Sequence, residues 1–380
     1  MIVSFKDGVK LIGLSVVSFC AVFVCTFFLN FYLDAVELEG TFTDPAINAL
    51  YEAQMVTAKF VSAVSGGFLG FMAVVILIFY VKLYIDRHGK QLGILKAMGY
   101  SDGKIALGFF VFGFSVFIGA ALGFGAGFAI MPLIYKNLTI DGIPQIDISF
   151  HAELLFALVF LPVAVFSAFA CGYAYLALKR PVCDMLRGKN KVKLKKEKAK
   201  ENNGVSFLAE MCFKTLGGKK ALAFFVAFAC FCFSAMIQMA VSMIDLSSEI
   251  MGAVILVIGL ILAVTTLLMA ITSLVKGNIK SISIMKAFGY SMKECSFTVL
   301  GGYHIFALIG FIIGTLYQFG LLKLMVNVVF KDVAQMPEYK FNFSVFFIIL
   351  AVFIVFYAAV ILIYSLKLNK ISVKDVMTET

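Results

Sequence analysis

The sequence predicts an all-α integral membrane protein of eight transmembrane helices, arranged as two parallel four-helix repeats. Three observations carry this reading. Hydrophobic residues make up 62% of the 380 and charged residues only 14%, more apolar surface than a soluble core of this size hides. Eight charge-free runs each exceed the roughly 20 residues a helix needs to cross the hydrocarbon layer. One polar segment also occurs twice, as ILKAMGYSDGKI at Ile94–Ile105 and as IMKAFGYSMKEC at Ile284–Cys295.

The runs, in order, are Leu11–Leu33, Phe60–Val81, Ile105–Tyr135, Leu154–Leu178, Ala221–Ile244, Ile250–Val275, Ser296–Leu322 and Phe341–Leu366. Within lipid only helices and closed barrels satisfy every backbone polar group, and the period-2 alternation of a barrel strand is absent. Each run is therefore a helix. The first is too long for the apolar core of a signal peptide and lacks a small-residue cleavage site. It ends in Asn30 and Asp34, so it reads as a retained span.

Charge sets the orientation. Of the 32 lysines and arginines, only Lys59, Lys136, Lys323, Lys331 and Lys340 fall on the side opposite the N-terminus. The positive-inside rule then places both termini and both copies of the polar segment in the cytoplasm. The net charge of +10 is mostly this topology signal and not a nucleic-acid footprint. The eight cysteines form no CxxC pair and none lies in an external loop, so neither disulfides nor structural zinc are expected. His88, His151 and His304 fall at three different depths, and no HExxH or GxSxG occurs, which leaves no metal or nucleophilic centre in the pattern.

Four helices per half is an even number, so the halves share one orientation and form a parallel repeat about an axis along the membrane normal. The repetition reaches beyond the polar segment. Gly142–Phe156 parallels Ala334–Ile348 with Pro144 and Pro337 matched, and Lys179–Leu186 parallels Lys370–Met377 with Asp184 and Asp375 aligned. The expected domains are residues 1–187 and 206–380, joined by a basic linker at 188–205. The stretch Arg187–Gly204 that overlaps it is dominated by lysine and belongs in water. The acidic outer stretch Asp34–Lys59 is too small for a domain of its own.

In the first polar segment Gly89 permits a break, and Gly99 is a natural helix stop. The pattern between them suits a short amphipathic helix against the cytoplasmic face, and Ile282 to Gly289 repeats it. Lipid demands only a pattern of polarity. Yet Lys96-Ala97 and Gly99-Tyr100-Ser101 return as Lys286-Ala287 and Gly289-Tyr290-Ser291. A protein partner demands side chains, and two such sockets suit a symmetric dimer.

At these residues the chain resembles the FtsX-like permease family, the MacB/BceB-type permeases of ABC transporters. The family's loop runs roughly as basic-x-x-Glu-Ile-Gly-Ile-Leu-Arg/Lys-Ala-Ile/Leu-Gly-Ala/Tyr-Ser. Gly93-Ile94-Leu95-Lys96-Ala97-Met98-Gly99-Tyr100 follows it closely, and Ser283-Ile284-Met285-Lys286-Ala287-Phe288-Gly289-Tyr290 nearly as well. Gln91 and Ser281 stand where the family carries its acidic residue, and the large extracellular domain of many members is missing. The resemblance spans helices two to four and six to eight, and it implies the FtsX/MacB-like (type VII ABC) permease fold in the bacterial cytoplasmic membrane. It further implies that these sixteen residues couple to a separate homodimeric ABC ATPase, which binds ATP and Mg. By the same resemblance this chain carries no cofactor and no catalysis. It acts by mechanotransmission on an amphiphilic substrate such as an antimicrobial peptide or a lipid. In keeping with that, no GxxxxGK[ST] occurs in the sequence.

Small residues recur at four-residue spacing as Gly66 and Gly70, as Gly119, Gly123 and Gly127, and as Gly310 and Gly314, which predicts close helix packing. The polar residues inside the runs are Asn30, Gln238, His304 and Gln318. Ionisable groups at that depth are functional candidates, but His304 has no acidic neighbour in the sequence and is expected to donate an interhelical hydrogen bond. His151 and Glu153 are expected to face water. No chain of acids crosses the membrane, which disfavours a proton-coupled carrier. Two alternatives stay open: an ABC-type signalling complex regulating a cell-wall hydrolase or sensor kinase, and an ATP-independent carrier.

Overall fold

A chain with this much apolar sequence satisfies its backbone inside lipid by coiling it, and the structure, a computed structural model, does so throughout. It describes residues 12–36, 45–137, 148–186, 212, 216, 220–246, 249–329 and 340–369. No strand occurs among them, and eight helices are long and apolar enough to cross a membrane. Pro144, Pro337, the basic linker and Asp375 lie outside the described residues, as does the side chain of Asp184. The chain divides into two compact units, Met1–Lys191 with Lys323–Tyr339, and Val192–Leu322 with Lys340–Thr380.

In the first unit α1 (Ile12–Val36) is the first span and α2 (Pro45–Arg87) the second. The 43 residues of α2 reach ~65 Å at 1.5 Å per residue, about twice the hydrocarbon thickness. Much of the stretch before Lys59 that reads as a loop in the sequence is thus helix. A one-residue break at His88 leads to α3 (Gly89–Ala97), then α4 (Asp102–Leu107), a 3-10 turn at Gly108–Phe110 and α5 (Val111–Asn137), the third span. The fourth span is α6 (Ala152–Leu155), a π turn at Phe156–Phe160 and α7 (Leu161–Leu178), followed by α8 (Val182–Leu186). Pro162 accounts for the π turn. A proline ring presses on the carbonyl four residues back, here that of Leu158, and the wider turn before it makes room.

The second unit contains α9 (Lys220–Leu246), α10 (Glu249–Ala287), α11 (Met292–Leu300), α12 (Tyr303–Leu324) as far as Leu322, and α13 (Phe343–Asn369); the last two residues of α12 and the π turn at Met325–Val329 that follows belong to the first unit. Its centre is aromatic. Phe233, Phe311 and Phe353 are fully buried, with ring centroids 5.4 Å apart for Phe233–Phe353 and 4.9 Å for Phe311–Phe353.

Glycines set the closest helix contacts in both units. A Cβ at Gly119 or Gly123 would run into the carbonyl oxygens of Ser15 and Phe19, and one at Gly310 or Gly314 into those of Ala227 and Phe231. The third span therefore lies backbone to backbone on the first in each unit. These contacts also fix the register of the repeat: Ser15 with Ala227, Phe19 with Phe231, Gly119 with Gly310, Gly123 with Gly314. Gly127 meets Thr26 at 3.2 Å and Gly66 meets the Cys25 sulfur at 2.8 Å when a Cβ is added. Gly70 differs from the other six, for a Cβ there meets nothing within 4 Å; no helix rests on it, and it borders a cavity.

Candidate functional site

The repeated segment forms a tip after the second span of each unit. In the first unit Leu92 and Gly93 are buried. A Cβ at Gly93 would stand 3.2 Å from Met185 and 3.3 Å from Leu186, so this glycine seats α3 against α8. Lys96 also turns inward. Its Nζ donates to the carbonyl oxygens of Leu178 at 2.7 Å and Arg180 at 3.1 Å and pairs with Asp102 at 2.8 Å. An ammonium at the end of a helix satisfies orphan carbonyls and meets the negative end of its dipole. Arg180 in turn reaches Asp86 on α2 at 3.4 Å. The tip is thereby fastened to the last turn of the fourth span.

What remains outside is apolar. Ile94 is 50% exposed, Met98 62% and Tyr100 47%, with Ala97 and Gly99 exposed and Leu95 half-buried. In the second unit Ser283 and Met285 are buried, Ile284, Lys286 and Tyr290 half-buried, and Ala287 and Gly289 exposed, while Phe288 is 77% exposed. These residues lie outside the candidate spans Val61–Asp86, Asp102–Pro132 and Ile255–Ile279, so the bilayer core does not account for their exposure. Exposed apolar clusters beyond a membrane span mark contact surfaces.

The backbone explains part of the recurrence that the sequence suggests belongs to a partner. Gly99 has φ 92° and Gly289 φ 87°, a conformation that disfavours any Cβ. Around them the amide of Tyr100 donates to Leu95 O at 3.2 Å and that of Gly99 to Lys96 O at 3.1 Å, and Tyr290 to Met285 O at 3.2 Å and Gly289 to Lys286 O at 3.0 Å. That pair of bonds is a Schellman stop. The next residue starts a new helix: Ser101 Oγ accepts from the Lys104 amide at 3.4 Å, and Ser291 Oγ from the Glu294 amide at 3.3 Å. Glu294 completes a capping box by accepting from the Ser291 amide and hydroxyl, both at 2.8 Å. Those donors hold its carboxyl below the usual range. Gly and Ser recur because a helix must stop and restart within three residues.

A separate short helix, as the sequence suggests, follows the break in the first unit only. In the second unit α10 runs unbroken from Glu249 to Ala287, with Asn278 and Ile279 where the first unit has His88 and Gly89. In the first unit the break is bridged. His88 stacks on Tyr84 with centroids 4.2 Å apart, and the bonds His88 N to Tyr84 O and Leu92 N to His88 O, both 2.9 Å, carry the ladder across it. The second tip is thus the end of a spanning helix, and the first is a short helix bonded across the His88 break to one.

The intramembrane polar residues also depart from their sequence reading. His151 does not simply face water: its Nδ1 lies 3.1 Å from Asn30 Oδ1 and 3.7 Å from the buried Asp34 carboxylate. Asp34 further accepts from Asn30 at 2.6 Å, the Ser149 amide at 3.2 Å and Tyr135 at 3.4 Å. This cluster fastens the end of α1 to α5 and to the start of the fourth span. His304 meets the Tyr357 ring edge-to-face at 5.4 Å, and among the described residues this contact takes the place of the expected hydrogen bond. Gln238 donates to Ser234 at 2.9 Å and Thr315 at 2.8 Å, and Gln318 to Ser242 at 3.1 Å. Sequence reasoning missed Asp102, Arg180 and α8 as parts of the site, although the repetition of Lys179–Leu186 near the C-terminus was a visible signal.

No curated protein and no solved structure is significantly similar to this chain. The FtsX-like permease C-terminal family matches residues 63–182 and, a second time, residues 253–373. Each match starts in a second span, passes through a tip and ends beyond the fourth span, and together they cover more than half of the chain. This multi-pass chain therefore belongs to the FtsX-like permease family, the membrane components of ABC-type systems, with one copy of the family's unit in each half.

Proposed function

We propose that the two tips are the docking points of a separate homodimeric ABC ATPase, one subunit to each, and that this chain passes its closing motion into the spans. ATP and Mg would be held by that partner. The observation carrying this reading is the pair of exposed apolar tips, Ile94, Met98 and Tyr100 in one unit and Ala287 and Phe288 in the other, the first on α3, bonded across the His88 break to α2, and the second at the end of α10. The lysine and arginine distribution supports a cytoplasmic position for both tips and both termini. Residues 188–205 then link the halves, 1–187 and 206–380, on that same face. In the first half, motion reaching α3 passes through Lys96 to the fourth span. Its use is mechanotransmission that exports or extracts an amphiphilic peptide or lipid.

The test is co-purification of the full-length chain with its ABC ATPase, comparing the parent with a Met98→Asp, Phe288→Asp double variant. Both positions are exposed, so the fold survives the change. The ATPase is retained by the parent and lost by the variant; retention at parental stoichiometry overturns the proposal.

A further inference from the structure

A cavity of about 250 Å³ lies inside the first unit, bordered by the first four spans. Its wall is built from small and apolar residues, among them Ala21, Gly66, Gly70, Ala120, Leu158 and Pro162. Ser18 supplies a buried hydroxyl without a partner among the described residues, and the Cys25 thiol donates to Ser62 O at 3.9 Å. A water molecule needs two to four polar partners, and an engineered apolar cavity of ~150 Å³ stays dry and takes benzene instead. The wall offers no such set, so the occupant is apolar. Ala21, Gly66, Gly70, Leu158 and Pro162 are partly exposed, which opens the cavity to the surface of the bundle at the depth of the spans.

The repeat shows that the space is not a by-product of the fold. In the register fixed by the glycine contacts, Ala21 corresponds to Phe233 and Ala120 to Phe311, while the register of the tips pairs Gly66 with the half-buried Leu256 and Gly70 with Leu260, which is 52% exposed. Phe233 and Phe311 are fully buried and converge on Phe353. Phenyl rings occupy in the second unit what small residues leave open in the first. The wall also carries the π turn at Phe156–Phe160, which includes Leu158, and single π turns in α-helices cluster at functional sites.

We infer that this cavity is a binding site for one acyl chain of a bilayer lipid, present in the first unit and filled by side chains in the second. The site is independent of ATPase docking. The wall recognises a linear, flexible alkyl segment, since it has no charged group to fix a headgroup and the headgroup stays in the interface.

The experiment uses the purified full-length chain in liposomes of phosphatidylethanolamine and phosphatidylglycerol with a trace of phospholipid carrying a diazirine on one acyl chain. After illumination, residue-resolved adducts at the buried wall residues Leu69, Ala73 and Phe166 exceed those at the exposed residues Phe114 and Phe347. Ala21→Phe and Gly70→Leu, each installing the residue of the second unit, lower the cavity adducts at least about fivefold because the ligand's volume is gone. Adducts at Phe114 and Phe347 stay unchanged and report that the bundle is intact. Gly70→Leu is the milder of the two, as a Cβ there meets nothing within 4 Å. Labelling that follows exposure alone, or that neither variant reduces while the Phe114 and Phe347 adducts persist, overturns the inference.

Discussion

The Lys96 ammonium donates to the Leu178 carbonyl oxygen at 2.7 Å, which joins the tip after the second span to the last turn of the fourth. Asp102 at 2.8 Å holds the ammonium from its other side. This lysine recurs in both tips and matches the family's basic position, yet in the first unit it is spent within the chain. A force applied at Met98 would travel through this contact before reaching α7.

Lys96→Met therefore separates docking from transmission. The aliphatic stem is kept and the charge removed, costing about 1.5–3 kcal/mol for hydrogen bonds to a charged group. The ATPase still co-purifies, while hydrogen exchange at residues 174–180 rises and substrate-stimulated ATP turnover falls. Lys96→Arg restores part of the protection.

The helix stops make a paired prediction. Gly99→Ala and Gly289→Ala each force a Cβ into the left-handed region and cost ~1–2 kcal/mol, read as lowered melting temperatures of the detergent-solubilised chain. Gly103→Ala is the control. It sits inside α4 with nothing within 4 Å of its added Cβ, and alanine is the better helix former by up to about 1 kcal/mol.

Close packing at Gly119 admits no such tolerance. Gly119→Val drives the third span off the Ser15 backbone, and the chain accumulates poorly or elutes as aggregate on size exclusion. Gly125→Ala, on the same helix with open space around it, elutes like the parent.

Acid affects one cap and not the other. Glu294 is held below its ordinary titration range by the Ser291 donors, so its contribution is present at neutral pH and vanishes as pH falls below about 4 and the carboxylate protonates. In thermal melts Glu294→Gln is less stable than the parent at pH 7, and the gap closes at lower pH. Lys104 holds the corresponding place in the first unit and shows no such dependence when changed to Gln.

All eight spans were legible in the sequence because hydrophobic length is a property of single segments. The tips were located for the same reason, since duplication exposes a short segment against a drifting background. The division of labour within each tip was not legible. Gly93 and Lys96 sit in the motif beside Ile94 and Met98, and only the fold shows that the first two face α8 and the Leu178 carbonyl. Gly99 and Ser101 looked like signs of a partner because a backbone stop and restart conserves residues as firmly as an interface does. The Asn30, Asp34 and His151 cluster was hidden by separation, its members lying 121 positions apart at the widest. The cavity was hidden because small residues in one half gain meaning only when set against Phe233 and Phe311 in a known register.

The docking of an ABC ATPase on the tips is tested most directly by photocrosslinking in intact cells with p-benzoylphenylalanine in place of Met98, of Phe288, and of the lipid-span residue Phe71. Docking predicts an adduct of the size of the chain plus the ATPase from positions 98 and 288 and none from position 71. Adducts with lipid alone at both tips, in cells where the ATPase still co-purifies with the chain, would contradict it.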